Sequence, residues 1–220
     1  MSAPSIRSAH ARSDASAHQD AYSPVARRTL TRDLSGRRLT VLLALLAVYI
    51  PTYLLYFTSS APFSLAHAAA ACGGRPVLDT RWSYNAAQAH DYLAACGAAG
   101  RAAVQHQQVA DLVYVALYAG VLLASYAYLI RAGRLTGRAW RLCLALPLIV
   151  AGLDYLENAG IWTLLIRYPN TGVLTDRLWM VTATKLGLGY LSLGVLAVLA
   201  LAAVSNRLRR RPRPTHREQS

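Results

Sequence analysis

Three polar side chains lie at the centre of an otherwise apolar run. The run covers residues 142–166, twenty-five in all, and contains Asp154, Glu157 and Asn158. Side chains three and four residues apart lie on adjoining strips of one helix face, so all three can point into the same space. Two buried carboxyl groups with hydrogen-bonding neighbours are an arrangement that general acid–base chemistry uses. The spacing therefore predicts a polar site inside an apolar helix.

A lysine in a later apolar run provides the opposite charge. Lys185 lies seven residues into the run 178–204, and Glu157 lies nine residues before the end of its own run. At 1.5 Å per residue, both side chains are expected roughly 10 to 14 Å below the same membrane surface. An ion pair between Lys185 and one carboxylate would offset two burial costs. We expect the second carboxyl group, Asp154 or Glu157, to be protonated or hydrogen-bonded.

These residues predict a pocket, with roles divided by chemistry. Asp154, Glu157 and Lys185 are the candidate catalytic residues, acting as acid, base and electrostatic partner. The candidate ligand-binding residues are Asp111, Tyr114, Tyr118, Asn158 and Thr184. The alternative is that all of these groups only hold the helices together as polar contacts in lipid.

Other chemistries find little support in the sequence. It contains no GxSxG, HExxH or phosphate-loop motif. A metal site formed by His90, His106 and Glu157 is conceivable, but the spacing matches no known ligand motif. We therefore expect no metal and no cofactor.

Four apolar runs determine the expected fold class. They cover residues 39–57, 109–130, 142–166 and 178–204, and each can cross a hydrocarbon core about 30 Å thick. Apolar residues make up 55% of the chain and charged residues only 15%, which is typical of a membrane protein. The sequence predicts an all-α protein with four transmembrane helices and a small helical extracytoplasmic cap, residues 58–108, between the first and second.

The regions at both ends of the membrane domain, 38–205, are polar and basic. Residues 1–37 and 206–220 are expected to be basic cytoplasmic tails, the first of them disordered. A cleaved signal peptide is the rival interpretation of the first apolar run. Its nineteen residues exceed the usual hydrophobic region of about 7–15, which favours a retained helix. Pro51 within it is expected to kink that helix.

The distribution of basic residues predicts the orientation. Residues 1–38, the loop 131–141 and residues 206–220 hold seventeen Lys and Arg residues, against five in segments 58–108 and 167–177. Basic residues accumulate on the cytoplasmic side, so both termini are expected there in a multi-pass protein of the bacterial inner membrane. The same distribution argues against nucleic-acid binding, because no groove-reading motif accompanies the charge.

The cap is expected to contain a short helix and a disulfide. Residues 83–95 show helical spacing, with Ser83 as N-cap and Gly97 as C-cap. Cys72 and Cys96 both fall in the cap, where an oxidising environment favours a disulfide over free thiols. Cys143, inside the third run, is expected to be a packing residue.

The motifs of the membrane domain resemble those of a known group. Three features carry the likeness: the stretch Leu78-Asp-Thr-Arg-Trp-Ser-Tyr followed by Gly97, Gly100-Arg101 and a span with Asp111; the run LPLIVAGLDYLEN in the third helix; and Thr184-Lys185 in the fourth. Together they resemble small, uncharacterised bacterial four-helix integral membrane proteins. The likeness covers about residues 40–205 and implies the same topology, but no reaction.

Three functions fit this sequence. The first is binding of a small amphipathic or lipid-like ligand in the predicted pocket. The second is a membrane enzyme whose carboxyl groups act on a lipidic substrate, and the third is a structural or accessory subunit. Proton-coupled transport ranks last, because the cytoplasmic half of the spans has almost no polar residues. The expected partners are membrane lipids and the amphipathic ligand, with a homo-oligomer as a further option.

Overall fold

The structure is a computed structural model that describes residues 24–170 and 175–209. Within these ranges all regular elements are helical, which confirms the all-α class. In chain order they are α1 (Pro24–Thr58), α2 (Leu65–Ala71), a 3₁₀ turn (Leu78–Thr80), α3 (Ala86–Ala132), α4 (Arg138–Leu142), α5 (Ala145–Arg167) and α6 (Thr175–Arg209). The contacts between residues divide the chain into two units, with the boundary between Val41 and Leu42. The packing described below is that of the second unit, from Leu42 onward.

Four of the helical segments are long and apolar enough to cross a membrane. They are Gly36–Thr58, Ala86–Ala132, Arg138–Arg167 and Thr175–Arg209. Each contains one of the four predicted spans, so the chain is a multi-pass membrane protein. Pro51 lies inside the first of these helices, as expected.

The N-terminal helix begins earlier than the sequence suggested. α1 starts at Pro24, so residues 24–37 are helical although they were predicted to belong to a disordered tail. Pro is well tolerated in the first turn of a helix, and the Leu, Ala and Arg residues that follow are good helix formers. The rest of that tail, 1–23, and most of the C-terminal tail lie outside the described residues.

The start of α3 is set by a capping box. The Asn85 side chain accepts from the Gln88 backbone N–H at 2.8 Å, and the Gln88 side chain accepts from the Asn85 N–H at 3.0 Å. The prediction of Ser83 as N-cap was therefore wrong, because Asn85 satisfies the first free N–H groups reciprocally. Gly97 has a φ of 60°, a left-handed value that glycine tolerates, and it interrupts the helix as predicted. Helical geometry then resumes and continues into the span.

A disulfide closes the cap on itself, and an apolar core fixes the cap to the bundle. Cys72 and Cys96 are disulfide-bonded, as predicted, and both are buried. The core combines side chains of the cap with the adjoining ends of α3, α5 and α6, namely Ala68, Val77, Leu78, Tyr92, Leu93, Val104, Ile161, Leu164 and Leu178. The cap therefore completes its hydrophobic core only by packing on the spanning helices. We call the end of the bundle that carries this core the cap end.

A second apolar cluster closes the opposite end. Tyr126, Ile130 and Leu199 are buried there, and the Tyr126 hydroxyl donates to the backbone carbonyl of Ser192 at 2.6 Å. Cys143 is a free thiol that packs against this cluster, in agreement with its predicted role. The stretch between the two apolar clusters contains the buried polar side chains described below.

A glycine on α3 allows close contact between α2 and α3, and this contact can be tested. A Cβ atom at Gly100 would lie 2.7 Å from the backbone carbonyl oxygen of Ala71. We expect Gly100→Ala to lower the free energy of unfolding by about 1–3 kcal/mol, because the backbone of α2 must move. Gly120→Ala on the same helix meets nothing within 4 Å and is expected to raise stability by up to about 1 kcal/mol. Equal stabilities in mixed-micelle unfolding would contradict this contact.

Candidate functional site

Lys185 occupies the centre of the buried polar cluster. Its ammonium group contacts two carboxylates of α5, Asp154 Oδ1 at 3.2 Å and Glu157 Oε2 in a close ion pair. A third contact, at 3.3 Å, reaches the backbone carbonyl of Asp79 in the cap. An ammonium group has three N–H donors, so the three oxygens in contact match it in number, two through hydrogen bonds and Glu157 through the ion pair. The cap thus contributes directly to the coordination of the buried cation.

Hydroxyl groups donate hydrogen bonds to the second oxygen of each carboxylate that binds Lys185. Thr182, one turn before Lys185 on α6, donates to Glu157 Oε1. The Tyr118 hydroxyl donates to Asp154 Oδ2 at 2.9 Å. Glu157 and Thr182 are both 0% exposed. Each carboxylate therefore has Lys185 on one oxygen and a hydroxyl donor on the other, as an ionised carboxylate in a low-dielectric interior requires.

A second carboxylate group, Asp111, is held without a cation. Its Oδ1 accepts from the Tyr56 hydroxyl at 2.7 Å, and its Oδ2 accepts from Asn158 Nδ2, also at 2.7 Å. Gln107 donates in turn to the Tyr56 hydroxyl oxygen. In the described part of the chain no Lys or Arg forms an ion pair with Asp111. Neutral donors from α1 and α5 thus converge on this acidic side chain of α3.

Asp79 is the cap's own acidic side chain at the site. Its Oδ2 accepts from Gln107 at 3.3 Å and Gln108 at 3.5 Å. No hydrogen-bond partner is found for Oδ1 within the described residues. Burial raises the pKa of the Asp79 carboxyl, Lys185 opposes this, and Glu157 and Asp154 add to it, which brings the pKa to about 6. The Asp79 carboxyl is therefore harder to ionise than an exposed aspartate.

The distribution of charge differs from the sequence-based expectation. Either Asp154 or Glu157 was expected to lack a cation, but both bind Lys185, so that prediction was wrong. Among the described residues of the cluster, the acidic side chains without an ion-pair partner are Asp111 and Asp79. The sequence-based prediction considered an ion pair between Lys185 and a single carboxylate. Because the lysine side chain is flexible, its ammonium can lie between two carboxylates that are one helical turn apart. Lys185 is also the single lysine among 23 basic residues, the others all being arginine.

An open cleft of about 460 Å³ lies beside this cluster. Its polar part is formed by Asp79, Asp111, Asp154 and Lys185. Further along the helices, away from the cap, the lining becomes apolar. The lining side chains there are Val121, Leu122, Val150, Leu193 and Leu196. Leu186, Phe57 and Leu65 add apolar surface nearer the polar groups, and Tyr49, Tyr56, Tyr114 and Tyr118 form an aromatic wall. From Lys185 to Leu196, eleven residues of helix correspond to roughly 16 Å.

Most of the predicted site residues meet at this cleft. Asp111, Tyr114, Tyr118, Asp154 and Lys185 line it. The functional roles assigned to them stay predictions.

Two predicted residues lie behind the lining, and one lies elsewhere. Glu157 and Asn158 are buried and contact the lining residues Lys185 and Asp111 without lining the cleft themselves. Thr184 is exposed, and its hydroxyl donates to the Met180 carbonyl at 2.7 Å. Its expected place at the cluster is taken by Thr182, because residues three apart share a helix face and adjacent residues do not.

Several residues of the cluster were not identified as site residues from the sequence. They are Tyr56, Asp79, Gln107, Gln108 and Thr182. Gln107 and Gln108 are two consecutive amides beside an apolar run, and this pattern is a signal that the sequence offers. In the structure both side chains are almost fully buried. Tyr56 resembled an interfacial aromatic residue, and Asp79 lies in a turn without any periodicity.

Neither a metal site nor a similarity to known proteins assigns a function to the cleft. Within the described ranges, no group of three His, Cys, Asp or Glu side chains has an arrangement that could hold a metal ion. The chain matches no known protein family, no curated protein and no solved structure. The resemblance to small four-helix membrane proteins therefore stays a prediction.

Removal of the central cation tests the electrostatics of the cluster. Lys185→Met leaves Asp154 and Glu157 buried without a counter-ion, and we expect a loss of about 3–5 kcal/mol in unfolding free energy. Adding Glu157→Gln to that variant is expected to restore part of the loss. Thr184→Val, at the exposed adjacent position, is expected to change stability by less than about 0.5 kcal/mol. If Lys185→Met is as stable as Thr184→Val in mixed micelles, the ion pairs do not stabilise the fold.

Proposed function

We propose that the protein binds a small amphipathic, lipid-like ligand in the cleft between its spanning helices. The observation that supports this most directly is the graded lining of one continuous space, polar beside Asp154 and Lys185 and apolar toward Leu193 and Leu196. Ligand sites are mostly apolar concavities of about 300–1,000 Å³ with a few polar groups that orient the ligand. A volume of about 460 Å³ falls within that range.

The depth of the polar groups supports an amphipathic ligand over a wholly polar one. The helices around the cleft also expose large apolar side chains that do not line it, such as Leu191, Val198 and Leu201. A molecule that enters from the lipid can keep its apolar part among such side chains while its polar part reaches the cluster. A wholly polar molecule would lose hydration without apolar contacts in return.

A second candidate function is an enzyme that acts on a lipidic substrate. The observation that favours it is that Asp154 and Lys185 line the same cleft as hydrogen-bonded neighbours, 3.2 Å apart. In this case Asp154 would be the group in contact with the substrate, and Glu157 would act on the reaction only through Lys185. The third possibility, a purely structural role for the charges, predicts no ligand at all.

We further propose that the cap faces the extracytoplasmic side of a bacterial inner membrane and that both termini are cytoplasmic. The distribution of basic residues, seventeen against five, supports this orientation. The disulfide between Cys72 and Cys96 supports it independently, because disulfides persist on the oxidising side of that membrane.

Labelling of single cysteines tests this orientation. In a Cys143→Ser background, we expect Asn170→Cys to react with a membrane-impermeant maleimide in intact spheroplasts. Arg138→Cys is expected to react only after permeabilisation, because it lies at the start of α4, which leads into the opposite end of α5. Both positions are exposed, so accessibility in the fold is matched. The reverse labelling pattern would contradict the orientation.

Filling the cleft tests the proposed function. Gly189 lines the cleft, and a Cβ atom there meets nothing within 4 Å. We expect wild-type protein, gently solubilised from its host membrane, to carry a bound lipid-like molecule in native mass spectrometry. Gly189→Leu is expected to lower the occupied fraction about tenfold or more, equivalent to at least about 1.4 kcal/mol.

A glycine on the same helix provides the matched control. Gly187 has equally open space at its Cβ position but does not line the cleft. Gly187→Leu is therefore expected to keep the bound molecule. Absence of a bound molecule from wild type, or equal occupancy in both variants, would contradict binding in the cleft.

A further inference from the structure

The charge balance of the cleft restricts the head group of its ligand. The ammonium of Lys185 already has three acceptors, the carboxylates of Asp154 and Glu157 and the carbonyl of Asp79. Its positive charge is therefore already balanced inside the protein, which disfavours its use as the binding partner of an incoming anion. The cluster also contains four acidic side chains for this one cation, so an anionic head group would meet like charge.

Asp111 is presented to the cleft as a hydrogen-bond acceptor. It lines the cleft and accepts from Tyr56 and Asn158, one donor on each oxygen. Two donors aimed at one carboxyl group match its ionised form, which has only acceptors. An ionised side chain at a depth reached by lipid requires a cation, and the described residues around Asp111 provide none.

The wall next to Asp111 consists of aromatic rings. Tyr56 and Tyr114 are stacked with centroids 4.8 Å apart, Tyr49 and Tyr114 are stacked at 5.9 Å, and Tyr118 follows at 5.7 Å from Tyr114. All four rings line the cleft. Aromatic faces attract cations within about 6 Å of the ring, and ammonium groups are commonly recognised by several such rings.

A buried acceptor provides an independent indication. Asp79 is 6% exposed and lines the same cleft, and its Oδ1 has no hydrogen-bond partner within the described residues. A buried acceptor without a donor is uncommon, and a donor supplied by a ligand would satisfy it. Asp79 and Asp111 are linked through Gln107 and Tyr56, so both acidic groups belong to one network.

From these observations we infer that the ligand is a cationic amphiphile, an alkyl chain with an ammonium head group. The ammonium binds between Asp111, Asp79 and the tyrosine wall, and the alkyl chain extends toward Leu193 and Leu196. This inference rests on the proposed function, because it names the class of molecule that occupies the same cleft.

Three probes with the same twelve-carbon chain test the inference. Dodecylamine, dodecanol and dodecanoate are titrated into the full-length protein in a non-ionic detergent at pH 7.5, and binding is measured by native mass spectrometry. Wild type is expected to bind dodecylamine about tenfold or more tightly than the other two, as one charge-assisted interaction provides. Dodecanol or dodecanoate binding as tightly as dodecylamine overturns the inference.

Two matched variants locate the selectivity. Asp111→Asn is expected to weaken dodecylamine binding about tenfold and to leave dodecanol binding within about twofold. The amide fits this position because Asn158 Oδ1 is unpartnered and can accept from it after rotation. Asp176→Asn removes the same charge at an exposed position and is expected to change neither affinity. Equal dodecylamine affinities in the two variants overturn the assignment of Asp111.

A second substitution allows the inference to be tested even if the Asp111→Asn variant does not fold. Tyr114→Leu keeps apolar volume but removes the central ring, so it is expected to weaken dodecylamine binding more than dodecanol binding. Equal losses for both probes overturn the role of the aromatic wall.

The cleft-filling variant separates the two levels of the proposal. If Gly189→Leu weakens all three probes but wild type shows no preference for dodecylamine, the ammonium inference fails and binding in the cleft stands. If Gly189→Leu weakens none of them, the proposed function fails as well.

Discussion

The free energy required to keep ionised groups away from water governs the centre of this molecule. An isolated charge in the middle of a membrane costs about 2.5–3.5 kcal/mol even on the most lenient scale, so each charged side chain needs a partner. Lys185 serves two carboxylates of α5 together, and Thr182 and Tyr118 satisfy their remaining oxygens. The packing of α5 against α6 at this level therefore depends on polar contacts as well as on apolar ones.

The cap and the site depend on each other for the same reason. A segment this short cannot form a separate hydrophobic core, so α2 and the 3₁₀ turn pack on Ile161, Leu164 and Leu178 of the bundle. In return the turn supplies the Asp79 carbonyl to Lys185 and places the Asp79 carboxyl beside Gln107 and Gln108. The disulfide restrains the chain that carries this turn. A loosened cap would leave the buried ammonium short of one acceptor.

Local features of the fold could be predicted because they depend on neighbouring residues. The lengths of the apolar runs predict the four spans, and spacings of three and four place Asp154, Glu157 and Asn158 on one face. Helix boundaries were less accurate, since the choice between Ser83 and Asn85 as N-cap depends on which side chain meets the first free N–H. The rotation of α6 decided between Thr182 and Thr184, and the apolar pattern of that helix is too uniform to show it.

The sequence by itself determined that the chain is helical, that it crosses the membrane several times and that acidic groups meet a lysine within it. These properties follow from composition and from the geometry of single helices. Only the tertiary structure decided that Lys185 bridges two carboxylates, that Asp111 and Asp79 have no ion-pair partner in the described part of the chain, and that Tyr56 and Gln107 connect them. Those partners come from segments up to 106 residues apart, and side chains brought together across such separations leave no periodic trace in the sequence.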